Sequence, residues 1–534
     1  MIEMYNLLTQ PLLTTSPAGT AVSLPGLLTQ LSRDEVEGFP ALRPHQSPLW
    51  HSFLVQVSAL ALLRADLAEL PQDEEAWRTL LRGLTPDFRD DEPWQLVVTD
   101  TTKPAFLQPA IPPGVTLSTP APTPDALDLL ITAKNHDLKQ AVAQQAAPED
   151  FVYALVSLQT GDGYNGAGNY GISRMNGGSS SRPLLGLAPA VTDNDAVISP
   201  RPGAWFRRDV LALLAARKSI LRDFPDFAEE SGLALLWLAP WPEEGQLRIN
   251  QLDPWYVEVC RRVRLLEAGE KITAVKGTSK AARVAAKELN GAVGDPWAPV
   301  HKDEHKSFTL SGQDFDYATL SKLLFSGNWK LPVLAKPAPF ERNGASFLLI
   351  AAALARGNSK TEGFKYRELP MSSRIAQAMT SPDGQESLND LAQQQVEEIE
   401  LFDHALRGAL ALAAAGGEWE KVGKAHYART NPARLRLDRV ADSLFFQHLW
   451  HRFDAQEAGE DAVEAERMAF ASALWAATRD VFSVALPAIP SPARFRHRTD
   501  ARAHRRLWGD SKLRQHFPAL FMKEPQEVSS NVAQ

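Results

Sequence analysis

Residues 347–370 read FLLIAAALARGNSKTEGFKYRELP. An apolar run at 347–354 precedes a polar turn, and residues 364–367 then alternate aromatic with cationic side chains. This pattern predicts two strands joined by a short turn, which is a β-hairpin. The hairpin tip would present Asn358, Ser359, Lys360 and Thr361, whose side chains are able to hydrogen-bond base edges in a groove. Polar tips are also common in hairpins that bind nothing, so the pattern alone assigns no function.

The rest of the first 370 residues predicts a mixture of short helices and strands. Prolines cluster in connectors at 104–124 and 332–339 and interrupt the regular elements. Trp50 to Leu67 has helical apolar spacing, Leu96 to Val98 resembles a strand, and Asp209 is a candidate cap for an apolar helix towards Leu221. Because strands and helices do not alternate regularly, we expect an irregular α+β domain rather than a doubly wound sheet.

After residue 380 the pattern changes to long helices without strand signals. Ser387 is a candidate cap for a helix whose apolar residues recur at three- and four-residue steps to Ala413. Similar stripes return at 437–444 and 468–482, and two shorter helices are expected to flank them. Such stripes each bury one face, which favours an antiparallel bundle of about four helices. The expected domains are therefore 1–375, mixed α/β, and 383–520, the helical bundle, with a flexible tail at 521–534.

Composition excludes several classes of protein. The chain has 534 residues, a net charge of −8 and one cysteine, so a disulfide framework and a four-cysteine zinc or iron–sulfur site are excluded. The first residues carry no basic leader pattern, and no apolar run reaches the length of a membrane span. We therefore expect a cytoplasmic protein with no membrane contact. No G-x-S-x-G, Walker loop or spaced carboxylate trio is present, so we expect no catalytic residues, no enzyme activity and no cofactor.

Residues 161–178, GDGYNGAGNYGISRMNGG, form what we call the glycine loop, with seven glycines in eighteen positions. So many glycines make the backbone costly to order, and this cost is expected only where the loop needs positive φ angles or close approach to another group. Gly166, Gly168 and Gly171 also match G-x-G-x-x-G, a dinucleotide fingerprint that requires a strand before it and a helix after it. The upstream residues from Pro148 predict a helix instead, and Pro183 disfavours one downstream. A loop that enters a groove or contacts phosphate is favoured, and a purely structural loop remains an alternative.

Two basic segments are candidates for contact with nucleic acid. Lys276, Lys280, Arg283 and Lys287 recur at steps of four, three and four, so they would share one face if Ser279 to Leu289 were helical. Residues 494–514 carry eight arginines or lysines against two aspartates, interleaved with aromatic side chains. Each segment has a structural alternative: a solvated helix for the first, and for the second a bundle helix whose arginines pair with the acidic residues of 383–403.

Two further features are weak. His301 and His305 stand four residues apart, as zinc ligands on a helix do, but no third ligand is evident and no metal site is expected. Cys260 lies in the amphipathic segment WYVEVCRRVRL and is interpreted as a buried small hydrophobe.

Several segments, taken in order, resemble a known family. They are Asn6-Leu7-Leu8, Val22-Ser23-Leu24, LDPWYVEVCRRVRL at 252–265, GDPWAP at 294–299 and ARGNSKTEGFKYRELP at 355–370. Together with the glycine loop and the helical C-terminal region, they resemble CasA, the large subunit of the type I-E CRISPR Cascade surveillance complex.

The resemblance implies a non-catalytic subunit that recognises the protospacer-adjacent motif in double-stranded target DNA, helps to open the duplex and leaves sequence reading to the guide RNA. The implied partners are the 5' handle of the guide RNA, the target DNA, the backbone, small and handle-binding subunits of Cascade, and a helicase–nuclease that does the cutting. R-loop formation and antiviral defence follow from the same resemblance.

The resemblance also suggests which residues take part. The segment Thr132-Ala133-Lys134-Asn135-His136-Asp137 corresponds to a loop that docks near the guide handle. The glycine loop and the hairpin tip correspond to pieces that enter or flank the motif from the minor-groove side. The implied DNA contacts are Gly161, Gly163, Asn165, Gly166, Gly168, Asn169, Gly171, Lys276, Lys280, Arg283, Lys287, Asn358, Ser359, Lys360 and Thr361, with a weaker implication for Arg434, Arg436, Arg439, Arg502 and Arg505.

Two other classes of function remain open from the sequence. One is a nucleotide-dependent enzyme that uses the G-x-G-x-x-G residues, and the other is a structural scaffold whose charged stripes are solvated surfaces. Salt-dependent affinity for short duplex DNA separates the scaffold from a DNA-binding protein, because only phosphate contacts release counterions.

Overall fold

The structure is a computed structural model that describes residues 5–129, 146–176, 182–193, 196–198, 200–269, 271–341, 344–357, 360–490 and 495–521. The chain divides into two compact units. The first contains residues 1–315 and 327–380, and the second contains 316–326 and 381–534. The short segment Asp316–Ser326, which the sequence pattern groups with the mixed domain, therefore belongs to the second unit.

The helices in the described part of the chain are α1 Leu24–Ser32, α2 Ser47–Arg64, α3 Glu74–Gly83, α4 Pro148–Gly161, α5 Pro202–Asp223, α6 Tyr317–Phe325, α7 Ser373–Ala378, α8 Pro382–Ala414, α9 Lys424–Ala428, α10 Asn431–Ala455, α11 Glu460–Ala488, α12 Arg496–Trp508 and α13 Ser511–His516. The strands are β1 Leu13–Thr14, β2 Ala21–Val22, β3 Thr119–Ala121, β4 Leu184–Pro189, β5 Val191–Asp193, β6 Ala196–Ile198, β7 Leu233–Leu235, β8 Leu252–Val257, β9 Arg262–Ala268, β10 Lys271–Gly277, β11 Val300–His301, β12 Trp329–Lys330, β13 Ser346–Gly357 and β14 Lys360–Ser372. The fold class is α+β, as the sequence predicts.

The predicted hairpin is the longest strand pair of the described chain. Strands β13 and β14 pair antiparallel from Ser346↔Ser372 to Gly357↔Lys360, and β4 adds a third strand on the other edge of β13. The register shifts between Ala355 and Arg356, which is a β-bulge near the tip. Bulges increase strand twist and change the direction of the hairpin end.

Helix α2 lies at the centre of the first unit. Its residues from Pro48 to Leu62 are almost all buried, since it packs against α3, α4, α5 and β8. Trp50 stacks on Phe53, and Tyr153 of α4 meets the Trp50 ring edge-on. A helix that is apolar on all sides is typical of a protein interior, and α2 fixes the position of α4, the helix that leads into the glycine loop.

In the second unit, α8, α10, α11 and α12 pack on one another, and α8 contacts each of the other three. Each helix buries an apolar stripe, for example Phe402 and Leu406 on α8 and Phe470 and Leu474 on α11. Helix α8 begins at Pro382, with the Ser381 side chain accepting from the Gly384 amide. This arrangement is the helical C-terminal region that the stripes predict.

Three local predictions are wrong: two helix caps are misplaced, and one predicted strand does not form. Ser387 lies inside α8 and donates to Gln456, because Ser381 and Pro382 begin the helix in a polar turn that apolar spacing does not reveal. Asp209 lies in the middle of α5, which begins at Pro202, and its buried carboxylate accepts from His51. Leu96 to Val98 form no strand, although Gln95 makes an isolated bridge with Asn6. No helix in the described part of the chain is long and apolar enough to cross a membrane.

Candidate nucleic-acid interface

The glycine loop begins where α4 ends, at Gly161. A Cβ at Gly161 would lie 2.4 Å from a Leu49 methyl carbon, so the close packing of α4 on α2 requires glycine here. The loop then turns back on itself: the Asn165 amide donates to the Asn169 carbonyl and the Asn169 amide to the Gly166 carbonyl. Gly177 and Gly178 lie outside the described residues.

Arg261 holds both arms of the loop together. Its Nη2 donates to the Asp162 carboxylate at 2.6 Å and to the Gly163 carbonyl at 2.5 Å, and its Nη1 donates to the Tyr170 carbonyl. Arg261 and Asp162 are both buried, so this charged pair is shielded from solvent. The Arg261 guanidinium therefore fixes the base of the loop.

The position of Arg261 is itself set by α4. The Gln159 side chain accepts from the amides of Cys260 and Arg261 and donates to the Arg261 carbonyl. These contacts tie the turn between β8 and β9 to the helix that carries the loop. Cys260 is buried there, its thiol donating to the Leu158 carbonyl, and burial raises its pKa to about 12. The interpretation of Cys260 as a buried small side chain is confirmed.

The base of the loop is buried and its tip is exposed. Gly161 and Gly163 are buried, whereas Tyr164, Asn165 and Ala167 are exposed. Gly166 has φ of 95°, and a Cβ added to it would meet no atom within 4 Å. Positive φ is a conformation that glycine adopts without steric cost. The tip around Gly166 is therefore an open turn, with Tyr164 exposed beside it, on a buried base.

A polar network supports the far end of the loop. The Ser173 amide donates to Glu258 Oε1 at 2.7 Å and the Ser173 hydroxyl donates to Oε2 at 2.9 Å. The Ser173 hydroxyl also contacts the Tyr256 hydroxyl, and the Arg174 guanidinium lies 4.1 Å from the Tyr256 ring centroid. Burial raises the pKa of Glu258 to about 7, although the Ser173 amide and Arg174 favour its charged form.

The expected helical stripe of lysines is wrong. Lys276 is the penultimate residue of strand β10, residues 278–286 are irregular, and Lys287–Leu289 form a short 3-10 turn. Arg283 is buried and donates to the carbonyls of Leu236, Ala239 and Pro240, and burial lowers its pKa to about 10. The Arg283 guanidinium is therefore not accessible to a DNA phosphate. These basic residues have helical spacing but lie on the end of a strand and in a loop, not on one face of a helix.

This segment nevertheless lies against the glycine loop. The Ser279 amide donates to the Gly168 carbonyl at 3.0 Å, and a Cβ at Gly168 would lie 2.7 Å from Cβ of Thr278. Lys276 is half-buried, donating to the Ala126 carbonyl, and Lys280 pairs at the surface with Glu243 and Glu244. Lys287 is exposed. The structure therefore brings residues 276–280 and the glycine loop together.

The β13–β14 hairpin is tied to a different part of the first unit. Lys365 pairs with Asp314 at 2.6 Å and Arg367 donates to the Phe315 carbonyl, so β14 is tied to residues 314–315. Asn358 and Ser359 lie outside the described residues, and Lys360 and Thr361 are the first residues of β14. The guide-proximal candidates Lys134, Asn135, His136 and Asp137 also lie outside the described part of the chain.

The basic segment of the second unit is a bundle helix. Within α12, Arg496 pairs with Asp500, while Arg498 pairs with Glu418 and Arg502 donates to the Gly417 carbonyl. Pairing with the acidic residues 383–403 was the structural alternative for this segment. Among the described residues the carboxylate partners named above for α12 are Asp500 and Glu418, whereas Glu398 of α8 pairs with Arg452 and Arg467.

The aromatic residues of this segment are largely used in packing. Trp508 meets the rings of Trp475 and Phe482, and Phe517 is fully buried against Phe402. Of Phe495, Trp508 and Phe517, Phe495 alone is clearly exposed. A stacking surface for bases built from Trp508 and Phe517 is therefore excluded. Arg434 pairs with Asp403 at 2.6 Å, whereas Arg436, Arg439 and Arg505 are exposed.

Two alternative sites lose their structural basis. The G-x-G-x-x-G residues follow a helix, not a strand, and the described residues after them are turns, so the geometry of a dinucleotide site is absent from this segment. His301 and His305 do not share a helix, because His301 ends β11 and the His305 amide donates back to the His301 carbonyl in a turn. The His301 ring packs edge-on against Trp329.

Sequence reasoning missed the residues that position the loop, namely Asp162, Arg261, Gln159 and Ser173 with Glu258. The only sequence signal was the placement of WYVEVCRRVRL and the glycine loop among the segments that carry the family resemblance. The buried Arg182–Asp295 pair, with Nε–Oδ2 at 2.6 Å, similarly explains the Asp of GDPWAP as a structural residue.

No protein-family model matches the sequence, and no curated protein matches it. Solved structures do match. Cse1 from Thermobifida fusca has a TM-score of 0.62 at 16% identity, covering 96% of this chain and 98% of that one. CRISPR-associated protein Cse1 from Acidimicrobium ferrooxidans has a TM-score of 0.60 at 16% identity, with coverage of 94% and 96%. CasA (Cse1) from Thermus thermophilus has a TM-score of 0.58 at 16% identity, with coverage of 95% and 99%. Over nearly its whole length, this chain therefore has the fold of the CasA (Cse1) proteins.

Proposed function

We propose that this chain is the non-catalytic large subunit of a CRISPR RNA-guided surveillance complex of the Cascade type. The observation that carries the proposal is the match of fold to Cse1 proteins over about 95% of both chains, together with the order of the matching sequence segments. In this role the chain recognises the protospacer-adjacent motif in duplex DNA, promotes unwinding and R-loop formation, and helps to recruit a helicase–nuclease. Its other partners are the guide RNA and the remaining Cascade subunits.

The exposed tip of the glycine loop is the proposed groove-entering element. A minor groove is about 6 Å wide, so a turn with few side chains is able to approach base edges where bulky residues clash. The tip residues Asn165, Gly166, Ala167 and Asn169 fit this requirement, because Gly166 is open around its Cα and the base is fixed by Arg261. Gly161, Gly163 and Gly171 act by packing the base, and they do not contact DNA directly in this proposal.

The hairpin tip, Asn358 to Thr361, is the second proposed DNA contact, and Lys134 to Asp137 are proposed to lie near the guide handle. Both proposals rest on the sequence resemblance. Of the basic segment, Lys280 and Lys287 remain proposed phosphate contacts because both are exposed. The Lys280 ammonium would exchange its surface carboxylate partners for phosphate, and surface ion pairs of this kind are weak.

The test uses the complex reconstituted with its guide RNA and partner subunits. Asn358→Ala combined with Lys360→Ala should weaken binding to a motif-bearing duplex at least about tenfold, as expected for loss of groove contacts worth about 1–3 kcal/mol each. Binding to the same target with a pre-opened bubble should change little. Lys322→Ala, an exposed lysine on α6, is the matched control and should leave both affinities unchanged.

Equal losses on duplex and bubble would contradict motif recognition by the hairpin. Failure of the wild-type chain to assemble with the guide RNA and partner subunits would contradict the proposal as a whole. A salt series on the duplex gives an independent check: Lys280→Ala and Lys287→Ala should each reduce the slope of log affinity against log salt by about 0.9 if these lysines contact phosphate, and should leave it unchanged if this chain is a scaffold.

A further inference from the structure

Three metal-ligand side chains meet on two helices of the second unit. His448 and His451 lie on α10, three residues apart and so on the same helix face, and Glu466 lies on α11. One ligand atom from each of these residues lies within 4.8 Å of the ligand atoms of the other two. Helices α10 and α11 are joined by a short connection at 456–459, so the cluster spans the two arms of a helical hairpin near its turn.

The three side chains do not form hydrogen bonds with one another. His451 Nδ1 and Glu466 Oε2 lie 3.7 Å apart, which is longer than a hydrogen bond. The Nδ1 atom of His448 is buried and has no hydrogen-bond partner. Buried polar atoms normally have partners, and a bound ion is one of the groups that satisfies them.

Neutral imidazole is the form that binds metals. The His448 ring packs against the Phe470 ring, with the ring centroids 5.2 Å apart, so an aromatic surface adjoins the cluster. The nearby guanidiniums are already paired: Arg452 contacts Glu398 Oε2 at 2.5 Å, and Arg467 contacts Glu398 Oε1 at 2.9 Å. Arg467 also pairs with Glu464, so two carboxylates balance the two guanidiniums.

We propose that His448, His451 and Glu466 bind one divalent transition-metal ion of the zinc class, which joins α10 to α11. Two imidazoles and one carboxylate suit zinc, cobalt or nickel, whereas calcium and magnesium prefer oxygen ligands alone. Tetrahedral ligands at zinc distances lie roughly 3.4 Å apart. His451 is 50% exposed and Glu466 is 35% exposed, so both side chains are free to rotate the short distance inwards. The fourth position would hold water.

The experiment uses the full chain treated with a chelator and then titrated with zinc chloride by calorimetry. Wild type should bind one zinc ion per chain in a saturable step and should melt at a higher temperature with zinc than without it, because the ion binds only the folded arrangement. His448→Ala and His451→Ala should each weaken zinc binding at least about tenfold, since even indirect partners of ligands are worth about 10–100-fold. His404→Ala, an exposed histidine on α8, is the control and should bind as wild type does.

Cobalt chloride gives a second readout. Bound cobalt in a four-coordinate site absorbs visible light strongly, and Glu466→Gln should weaken this signal while leaving the helical content unchanged. If His448→Ala fails to fold, His451→Ala and Glu466→Gln still decide the question, because both side chains are at the surface. The proposal is overturned if wild type shows no one-to-one saturation, or if the three ligand variants bind zinc as tightly as the His404→Ala control.

Discussion

Arg261 and Asp162 form a buried ion pair, Nη2 to Oδ2 at 2.6 Å, between residues 99 positions apart in the chain. The pair joins the start of the glycine loop to the turn between β8 and β9. Because Arg261 also donates to the carbonyls of Gly163 and Tyr170, one guanidinium fixes both arms of the loop. The position of the exposed tip thus depends in part on one buried side chain at the base of the loop.

Replacing Arg261 is expected to loosen this base. Arg261→Met leaves the Asp162 carboxylate buried without its cation, a change that typically costs about 3–5 kcal/mol. We expect an earlier urea transition of the first unit and weaker binding of motif-bearing duplex by the reconstituted complex. Arg222→Met breaks the exposed Arg222–Asp223 pair and should cost less than about 1 kcal/mol. An Arg261→Met protein as stable as Arg222→Met would refute the role of the pair.

Glu258 makes stability depend on pH in an unusual direction. Its pKa in the folded protein is about 7, above the ordinary glutamate value, so the folded state holds its proton more tightly than the unfolded chain. The stabilising effect is complete below about pH 4.3, the unfolded pKa, and is lost as pH rises through about 7. Relative to Glu258→Gln, wild type should lose up to about 4 kcal/mol of unfolding free energy across that window.

The measurement is a set of urea titrations of both proteins between about pH 4 and about pH 8, which spans the window between the two pKa values. Other titrating groups cancel in the difference, because they are shared by the two proteins. Glutamine keeps one oxygen to accept from the Ser173 amide, and its NH2 group donates to the Ser173 hydroxyl oxygen, so the loop support is retained. A constant difference between wild type and variant across the range would show that Glu258 does not titrate there.

Local patterns predicted the regular elements well and the loop contacts poorly. The hairpin at 347–370 and the stripes of α8, α10 and α11 were predicted because alternation and helical spacing are properties of neighbouring residues. Helix starts were misplaced where a proline began the helix, as at Pro202 and Pro382, because Asp209 and Ser387 inside these helices have the chemistry of N-cap residues.

The predicted helix with four basic residues on one face was wrong for a different reason: the helical spacing was present, but no such helix formed. Lys276, Lys280, Arg283 and Lys287 have helical spacing, but strand pairing of β10 with β9 and β3 decides the conformation of the first of them. Arg283 then turns inwards to three carbonyls that lie more than 40 residues away in sequence. Hydrogen bonds between residues far apart in the sequence do not produce a periodic pattern. The same residue spacing is therefore compatible with one face of a helix and with a buried loop.

Gly171 is expected to be the least replaceable glycine in the loop. A Cβ there would lie 2.6 to 2.8 Å from the Gly163 and Tyr164 backbone, and backbone atoms cannot move aside as a side chain does. Gly171→Ala should therefore cost about 1–3 kcal/mol, the usual range for overpacking. Gly423→Ala is the control, because nothing lies within 4 Å of its Cβ position and its φ is −143°. Thermal unfolding of the two variants decides the point: equal melting temperatures would mean that the loop adjusts freely.

Ala167 provides a test of groove entry that is separate from folding. Its side chain is exposed at the loop tip and its φ is not positive, so Ala167→Trp adds bulk without backbone strain. Glycine substitutions at 166 and 168 do not separate the two effects, because both residues have positive φ. We expect Ala167→Trp to fold and to assemble normally but to bind motif-bearing duplex at least about tenfold more weakly, since an indole does not fit beside the turn in a groove about 6 Å wide. Ala469→Trp, at an exposed position on α11, should bind duplex as wild type does. If Ala167→Trp binds duplex as tightly as Ala469→Trp, the tip of the glycine loop does not enter the groove, and motif recognition must come from another part of the chain.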